Sequence, residues 1–322
     1  MVLKAFGERA IIDFIKKRFP QQGNILSSYD DAWGCVLENK YLIFSGDMFV
    51  EDTDAPSFMT LQQMAFKSFT MSVSDIASKG VSPTYYYLVL GLPKGFGPKR
   101  LGELVEGWRN ALRLYGGAIM GGDTNETSCI TISVIAISLS DKPPIARKGG
   151  RPGDIVAVTG LFGETYIGFK MMKKPEKIPK KVRKKVLEKI CRPLARLREG
   201  IALNGIAEAC TDSSDGLAMS LYNLIWESGN GILVEKLPLS EDTREALDMI
   251  GVRPFEAVFY GGEEFELIAI IPKRKWNKAV KEVENVGGNL IPIGRVIEKS
   301  GVWYREENRI FKILEKGWEH LV

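Results

Sequence analysis

Apolar positions recur along this chain with two periods, about 3.6 and about 2 residues, and their alternation lays out the elements. Phe6, Ile11, Ile12, Phe14 and Ile15 share one helical face across residues 4–18. Trp33 to Leu37 and Lys40 to Ser45 read as strands, the second ending at Gly46-Asp47, and Glu51 to Pro56 reads as an acidic loop. Leu61 to Lys79 predicts a long helix with Met64, Phe69, Met71, Val73 and Ile76 apolar, stopped by Gly80 and Pro83. Tyr85 to Leu92 reads as a buried strand, Pro98 to Leu114 as a helix, and Cys129 to Leu139 as a β-branched strand; between these, Ala118 to Met120 leads into Gly121-Gly122-Asp123-Thr124. Asp141 to Gly153 is rich in Pro, Gly and charge and marks a boundary, dividing the chain into residues 1–145 and 146–322.

The second half continues with a strand from Ile155 to Thr159, a turn Gly160 to Gly163, and a helix through Met172. Lys173 to Lys189 is dense in lysine and reads as a solvated helix or loop without chemistry. Arg192 to Ala209 predicts a helix, as do Leu217 to Ile225, Asp242 to Ile250 and Trp276 to Val286. Strands are expected at Gly231 to Leu237, Phe265 to Ile271, Ile291 to Ile297 and Gly301 to Arg305. Strands and helices mixed in two halves point to α/β or α+β sandwich domains.

Composition narrows the class. A hydrophobic content of 45% with 26% charged residues is that of a globular domain, and no apolar run approaches the length of a membrane span. Met1 to Arg9 does not read as a secretory signal, and four scattered cysteines make a reducing cytoplasm the expected setting. Cys35, Cys129, Cys191 and Cys210 show no CxxC spacing, which removes the zinc and disulfide readings. A net charge of +4 is too small to imply nucleic acid. The single histidine is His320, so chemistry that relies on metal and charge is favoured over a histidine base.

The carboxylates carry the candidate chemistry. Thr211-Asp212-Ser213-Ser214-Asp215-Gly216-Leu217 holds two of them three positions apart at a helix start. Asp and Ser there are ordinary capping residues, but acidic oxygens beside a tight turn also suit Mg²⁺ or Ca²⁺. Similar residues recur at element junctions, flanked by small neighbours: Asp30, Asp31, Asp47, Asp75, Asp123, Glu263 and Glu264. Each alone reads as a cap or turn; as a set they read as a holder of several Mg²⁺ ions, which bind carboxylates together with substrate phosphates. GxxxxGK[ST], a kinase catalytic loop and GxSxG are all absent. The Gly160 to Gly163 turn is either a phosphate-facing loop or a plain strand-to-helix turn.

These stretches resemble the thiamine-monophosphate kinase family, within the superfamily of aminoimidazole-ribonucleotide synthetase, selenophosphate synthetase and the hydrogenase-maturation dehydratase. The matching segments are Tyr29 to Ala32, Ser45 to Asp47 with Val50, Ser74 to Gly80 through Pro83, Gly121 to Thr124, Arg147 with Arg151 to Asp154, Thr159 to Gly163, Ser213 to Leu217, Gly261 to Leu267, and Gly317 to His320. They run in the family's order over nearly the whole chain. The resemblance implies an N-terminal sheet that joins a partner's sheet as a dimer barrel, a C-terminal α/β sandwich, and ATP with several Mg²⁺ in the cleft between. It implies metal on Asp31, Asp47, Asp75, Asp123, Asp212 and Asp215, with Asp30 added as their neighbour. It also implies ATP contacts from Gly121, Gly122, Asp123, Arg147 and Ser214, and an acceptor near Glu264 and Trp318. Asp212, Asp215 and Arg147 are the candidate catalytic residues. Gly46, Asp54-Ala55, Glu264 and Leu321 depart from the family pattern, and Asp54, standing where the family has His, is a candidate acceptor contact.

A phosphate monoester needs no general base, its second pKa being about 6, so an acceptor of this kind suits a chain with one histidine. Other superfamily members fit less well. Selenophosphate synthetase would require a reactive Cys within residues 1–30, the hydrogenase-maturation protein a terminal Cys, and aminoimidazole-ribonucleotide synthetase a Gly-Gly-Glu at residues 121–123. A non-catalytic nucleotide sensor is the alternative from another class.

Overall fold

The computed structural model describes residues 7–19, 23–27, 29–173 and 180–318. Ser28 and the tail 319–322, which includes His320 and Leu321, therefore lie outside the described residues. Two sheets and the helix wedged between them organise the chain. The first sheet contains β1 (Trp33–Leu37), β2 (Lys40–Val50), β3 (Tyr85–Leu92), β4 (Ala118–Glu126) and β5 (Thr131–Ser140), in the order β1-β2-β5-β3-β4, with β3 and β4 parallel. One face is covered by α3 (Leu61–Ser78) and α4 (Pro98–Tyr115), where Ile43, Phe49, Tyr86, Leu88, Ile132 and Val134 pack on Phe66, Phe69, Val73 and Trp108. The opposite face is open: Phe44, Met48, Tyr85 and Tyr87 are exposed.

The second sheet orders β12 (Arg309–Lys312), β11 (Gly301–Glu306), β8 (Gly231–Val234), β10 (Ile291–Ile297), β6 (Ile155–Val158), β9 (Leu267–Ile271) and β7 (Ala209–Asp212). Its two faces are both buried. Leu267, Ala269 and Ile271 join the α3 core with α7 (Leu197–Leu203) and α11 (Trp276–Asn285). Ile268 and Ile270 meet Leu217, Leu221 and Phe259 of α8 (Leu217–Ile225) and α10 (Pro254–Tyr260). The architecture is thus the two-part α+β arrangement expected. Among the described residues no helix is long and apolar enough to cross a membrane.

Several expected boundaries shift. The N-terminal helix, α1, spans Glu8–Lys16. β2 runs straight through Gly46-Asp47 to Val50, because Gly46 and Asp47 pair with Ile135 and Val134 of β5. Glu51–Asp54 forms a helical turn, α2, where a loop was expected. Residues 118–126, expected as a lead-in and loop, extend the sheet beside β3. The helix expected over Arg192 to Ala209 is shorter and is followed by β7, a strand too brief for periodicity to reveal. The α9 helix (Glu241–Met249) falls as expected, whereas α10 and β12 were not foreseen.

Candidate active site

Helix α3 is polar where most core helices are apolar: Lys67, Ser68, Thr70, Ser72, Ser74 and Ser78 are all buried in it. A capping box at Thr60 and Gln63 starts it, Thr60 Oγ1 accepting from the Gln63 N–H. Its polar positions meet groups from both sheets. Ser72 Oγ accepts from the Asp47 N–H at 3.1 Å and donates to the Val134 carbonyl at 2.6 Å. Ser74 Oγ donates to Asp212 Oδ2 at 2.6 Å, across 138 positions of sequence. Lys67, fully buried, donates to both Glu263 oxygens at 2.7 Å and to the Asp54 carbonyl at 2.8 Å. The helix thereby ties the N-terminal sheet to the ends of β7 and β9.

Carboxylate oxygens of Asp31, Asp75 and Asp212 converge within 4.8 Å of one another. Burial raises Asp75 well above the usual carboxylate range, and the charges of Asp47 and Asp212 add to the rise, against the hydrogen bond from Ser45. Burial likewise pushes Asp212 up to about 6; the Ser74 bond opposes this and Asp47 reinforces it. Buried like charges at this spacing resist joint ionisation unless a cation joins them. The donors are hard oxygens, which suit Mg²⁺. Beside them the Ser213 hydroxyl is fully buried with no hydrogen-bond partner among the described residues. The residues present therefore fit the divalent metal that the family implies.

Not every expected residue arrives at this cluster. Asp47 and Asp215 are not among the three whose oxygens converge, but they lie near enough for their charges to act on Asp75 and Asp212 respectively. Asp30 is adjacent but spent on protein partners: Oδ1 bonds Lys79 and the Asp31 N–H, and Oδ2 accepts from the Arg147 N–H at 2.7 Å. The Arg147 guanidinium is engaged with Asp31 and the Tyr29 carbonyl, so it is a clamp on that loop and not a solvated linker residue. Asp123, with Gly121 and Gly122, lies on the exposed edge strand β4. It aligns with Val89, Ser133 and Met48, on the open face of the sheet and opposite to α3. Three strand spacings separate that edge from β2, roughly 14 Å. A single chain thus does not bring Asp123 to the other carboxylates.

The expected acceptor residues also redistribute. The Asp54 carboxylate folds back on its own turn, accepting from the Val50 N–H at 2.6 Å and from Thr53 Oγ1 at 3.1 Å, which leaves its carbonyl, through Lys67, as its link to the site. Glu264 is buried in the C-terminal half, where it accepts from the Gly163 N–H and Thr165 Oγ1 and pairs with Lys189. Burial raises its pKa, against the pull of Lys189. Its neighbour Glu263 takes the position facing α3. Trp318 stays close: its backbone N–H donates to the Asp215 carbonyl at 3.1 Å, and the residue is 62% exposed.

Backbone geometry holds these loops together. Glu263 N–H donates to the Ser214 carbonyl at 2.6 Å and Phe265 N–H to Ser213 at 2.9 Å, with Glu263 and Phe265 in left-handed conformations at φ 60° and 51°. Such non-glycine outliers cost on the order of 1–3 kcal/mol each and persist where packing over-determines them. Gly216, at φ 106°, is the N-cap of α8, so the cap position itself carries no side chain. A Cβ at Gly216 would stand 2.7 Å from the Gly261 carbonyl oxygen. Gly216→Ala is expected to lower stability by roughly 1–3 kcal/mol and to lower activity with it, read by thermal denaturation beside turnover. An unchanged melting temperature would show that the loops are not locked in this way.

Sequence reasoning missed Lys67, Lys79, Ser74, Ser78 and Thr211, whose partners lie far away in sequence. It also misread the lysine-dense stretch. In α6 (Lys180–Cys191), Val182, Val186 and Ile190 are buried, and Lys189 pairs with Glu264 and Glu266; residues 174–179 lie outside the described residues. Glu266 is held below the usual carboxylate range: burial acts upward, but Lys189 and Arg196 outweigh it. Of the two readings of the Gly160 turn, the plain turn is the one the structure favours. Gly160 abuts the Glu266 carboxylate, and the Gly163 N–H, ahead of α5 (Glu164–Lys173), is already occupied by Glu264.

Residues 29–139 match the family model described as AIR synthase related protein, N-terminal domain. A thiamine-monophosphate kinase of Pyrococcus horikoshii is 35% identical over 91% of this chain and 90% of its own length. One from Pyrococcus abyssi is 33% identical over 98% and 96%. Among solved structures, AaThiL complexed with AMPPCP and TMP superposes with a TM-score of 0.87 at 27% identity, covering 99% of both chains. The hydrogenase maturation protein HypE, at 21% identity and a TM-score of 0.70, shares the fold, over 94% of this chain and 97% of that one. Taken with the carboxylates gathered between the two sheets, these relationships show that the chain belongs to the thiamine-monophosphate kinase family.

Proposed function

We propose that this protein transfers the terminal phosphoryl group of ATP to thiamine monophosphate, giving thiamine diphosphate. The observation that carries the reading is the convergence of Asp31, Asp75 and Asp212 at the junction of the two sheets, in a chain 35% identical to a thiamine-monophosphate kinase. Two polyanions must meet there, and ionised acceptor phosphate needs no base. Asp31, Asp47, Asp75, Asp212 and Asp215 would hold Mg²⁺. When bound, the metal would neutralise charge on the phosphates and orient them. Ser45, Ser74 and Ser78 fix the carboxylates from α3 and β2, Arg147 clamps the Asp31 loop, and Ser214 stands exposed between Asp212 and Asp215 for a nucleotide. The division at residues 145/146 would draw this cluster from both parts, Asp31, Asp47 and Asp75 from the N-terminal one and Asp212 and Asp215 from the C-terminal one. The cytoplasm, which keeps thiols reduced, suits the four free cysteines.

Incubation with Mg-ATP and a panel of phosphomonoesters, with products identified by mass, tests the assignment. Thiamine diphosphate is the expected product; turnover of another acceptor alone would overturn the substrate and leave the chemistry. Trp318→Ala is expected to raise the KM for thiamine monophosphate about 2–30-fold, the loss of a cation–π face, with KM for ATP near wild type. A rise confined to ATP would move Trp318 to the nucleotide side.

The reading includes a homodimer. Phe44, Met48, Tyr85 and Tyr87 leave an apolar sheet face uncovered, and a second copy related by a two-fold axis would cover it. Gly121, Gly122 and Asp123 lie on the free edge of that same sheet, so a role for them at an acidic cluster calls for the partner's cluster.

A further inference from the structure

At the end of α3 the acidic cluster holds a cation of its own. Lys79 has no exposed surface; its ammonium hydrogen-bonds Asp30 Oδ1 and, at 3.3 Å, the Cys210 carbonyl, and forms an ion pair with Asp31 Oδ2 at 3.0 Å. The charge is thus met by two carboxylates and a carbonyl. Asp30, equally buried, spends both oxygens on Lys79 and on the backbone N–H groups of Asp31 and Arg147. Asp31 Oδ2 is shared between Lys79 and Ser78 Oγ, the latter at 2.9 Å. A Mg²⁺ ion on this side would need the same oxygens at about 2.0–2.1 Å in octahedral order, against a positive charge already among them.

We propose that Lys79 is a resident cation that takes the place of a divalent ion on the Asp30 side of the cluster. Metal is thereby confined to the side where Asp31 meets Asp75 and Asp212, and Asp30 positions Lys79 and Arg147 without ligating metal. The inference rests on the metal reading of the cluster given above. It differs from that reading in a countable way: removing the ammonium opens a site.

Mn²⁺ binding to the full-length protein, followed by the electron paramagnetic resonance signal of the free ion, tests it. Lys79→Met keeps the unbranched stem and removes the charge. It is expected to bind one more Mn²⁺ per chain than wild type, and its melting temperature is expected to rise with Mn²⁺ more steeply. A folded Lys79→Met protein with the wild-type count overturns the proposal. Asp30→Asn gives an independent reading should Lys79→Met not fold: its count is expected to be unchanged and its affinity within about threefold of wild type. A lost ion, or affinity weaker by about tenfold or more, would make Asp30 a ligand and overturn the proposal. A wild-type protein that binds no Mn²⁺ overturns the metal reading itself, and this inference with it.

Discussion

Asp75→Asn is expected to lower kcat by about a thousandfold or more while making the metal-free protein more stable. The two effects share one cause. Asp75 is half-buried beside Asp47 and Asp212, and its pKa is raised by desolvation first and by those charges second. In the folded protein its ionised form is therefore costly near neutrality. Asparagine keeps the shape and still accepts the hydrogen bond from Ser45, but carries no charge to repel its neighbours. Without that charge the cluster also loses the ligand that would hold metal against two sets of phosphates, and such neutralisation is worth several kcal/mol. The sign with pH follows. The wild-type penalty is absent below the unfolded carboxylate value, about 3.9, and grows as pH rises above it. In EDTA the variant's melting temperature should exceed that of wild type at neutral pH, with the advantage shrinking toward about pH 4. Turnover near the wild-type rate, or a variant less stable than wild type in EDTA at neutral pH, would contradict this account.

The second large effect is complementation between two inactive variants. If Asp123 serves the partner's cluster, Asp75→Asn and Asp123→Asn destroy different halves of one composite site. A heterodimer of the two carries one site with both defects and one with none. A 1:1 mixture after subunit exchange should therefore recover about a quarter of wild-type turnover, from two stocks that each show almost none. Placement of Asp123 motivates the expectation: it sits on the open face of an edge strand, three strands from Asp47. Sites contained within single chains would give no recovery, and a mixture that remains inactive despite verified subunit exchange would refute the composite arrangement. Asp54, by contrast, spends its carboxylate on Val50 and Thr53, and its replacement by alanine is no longer expected to act directly on acceptor binding.

Local pattern alone determined a good part of this protein. The long helix around Asp75, the strands from Trp33 to Leu37 and Tyr85 to Leu92, and the helix after Gly216 follow from hydrophobic period and punctuation, which act over a few residues. The carboxylates could be named as a set because each is marked by small neighbours. What the pattern could not supply was which of them meet. Asp31, Asp75 and Asp212 are brought together by packing α3 between two sheets, with partners up to 180 positions apart. The same packing turns Asp30 onto Lys79, folds Asp54 onto its own turn, buries Glu264 behind Lys189 and leaves Asp123 on an open edge. Short β7, buried on both faces, has no period for a pattern to show. A carboxylate's role depends on the charges and donors within a few ångströms of it, and only the tertiary structure decides those, because Coulomb and hydrogen-bond energies depend on distance in space and not along the chain.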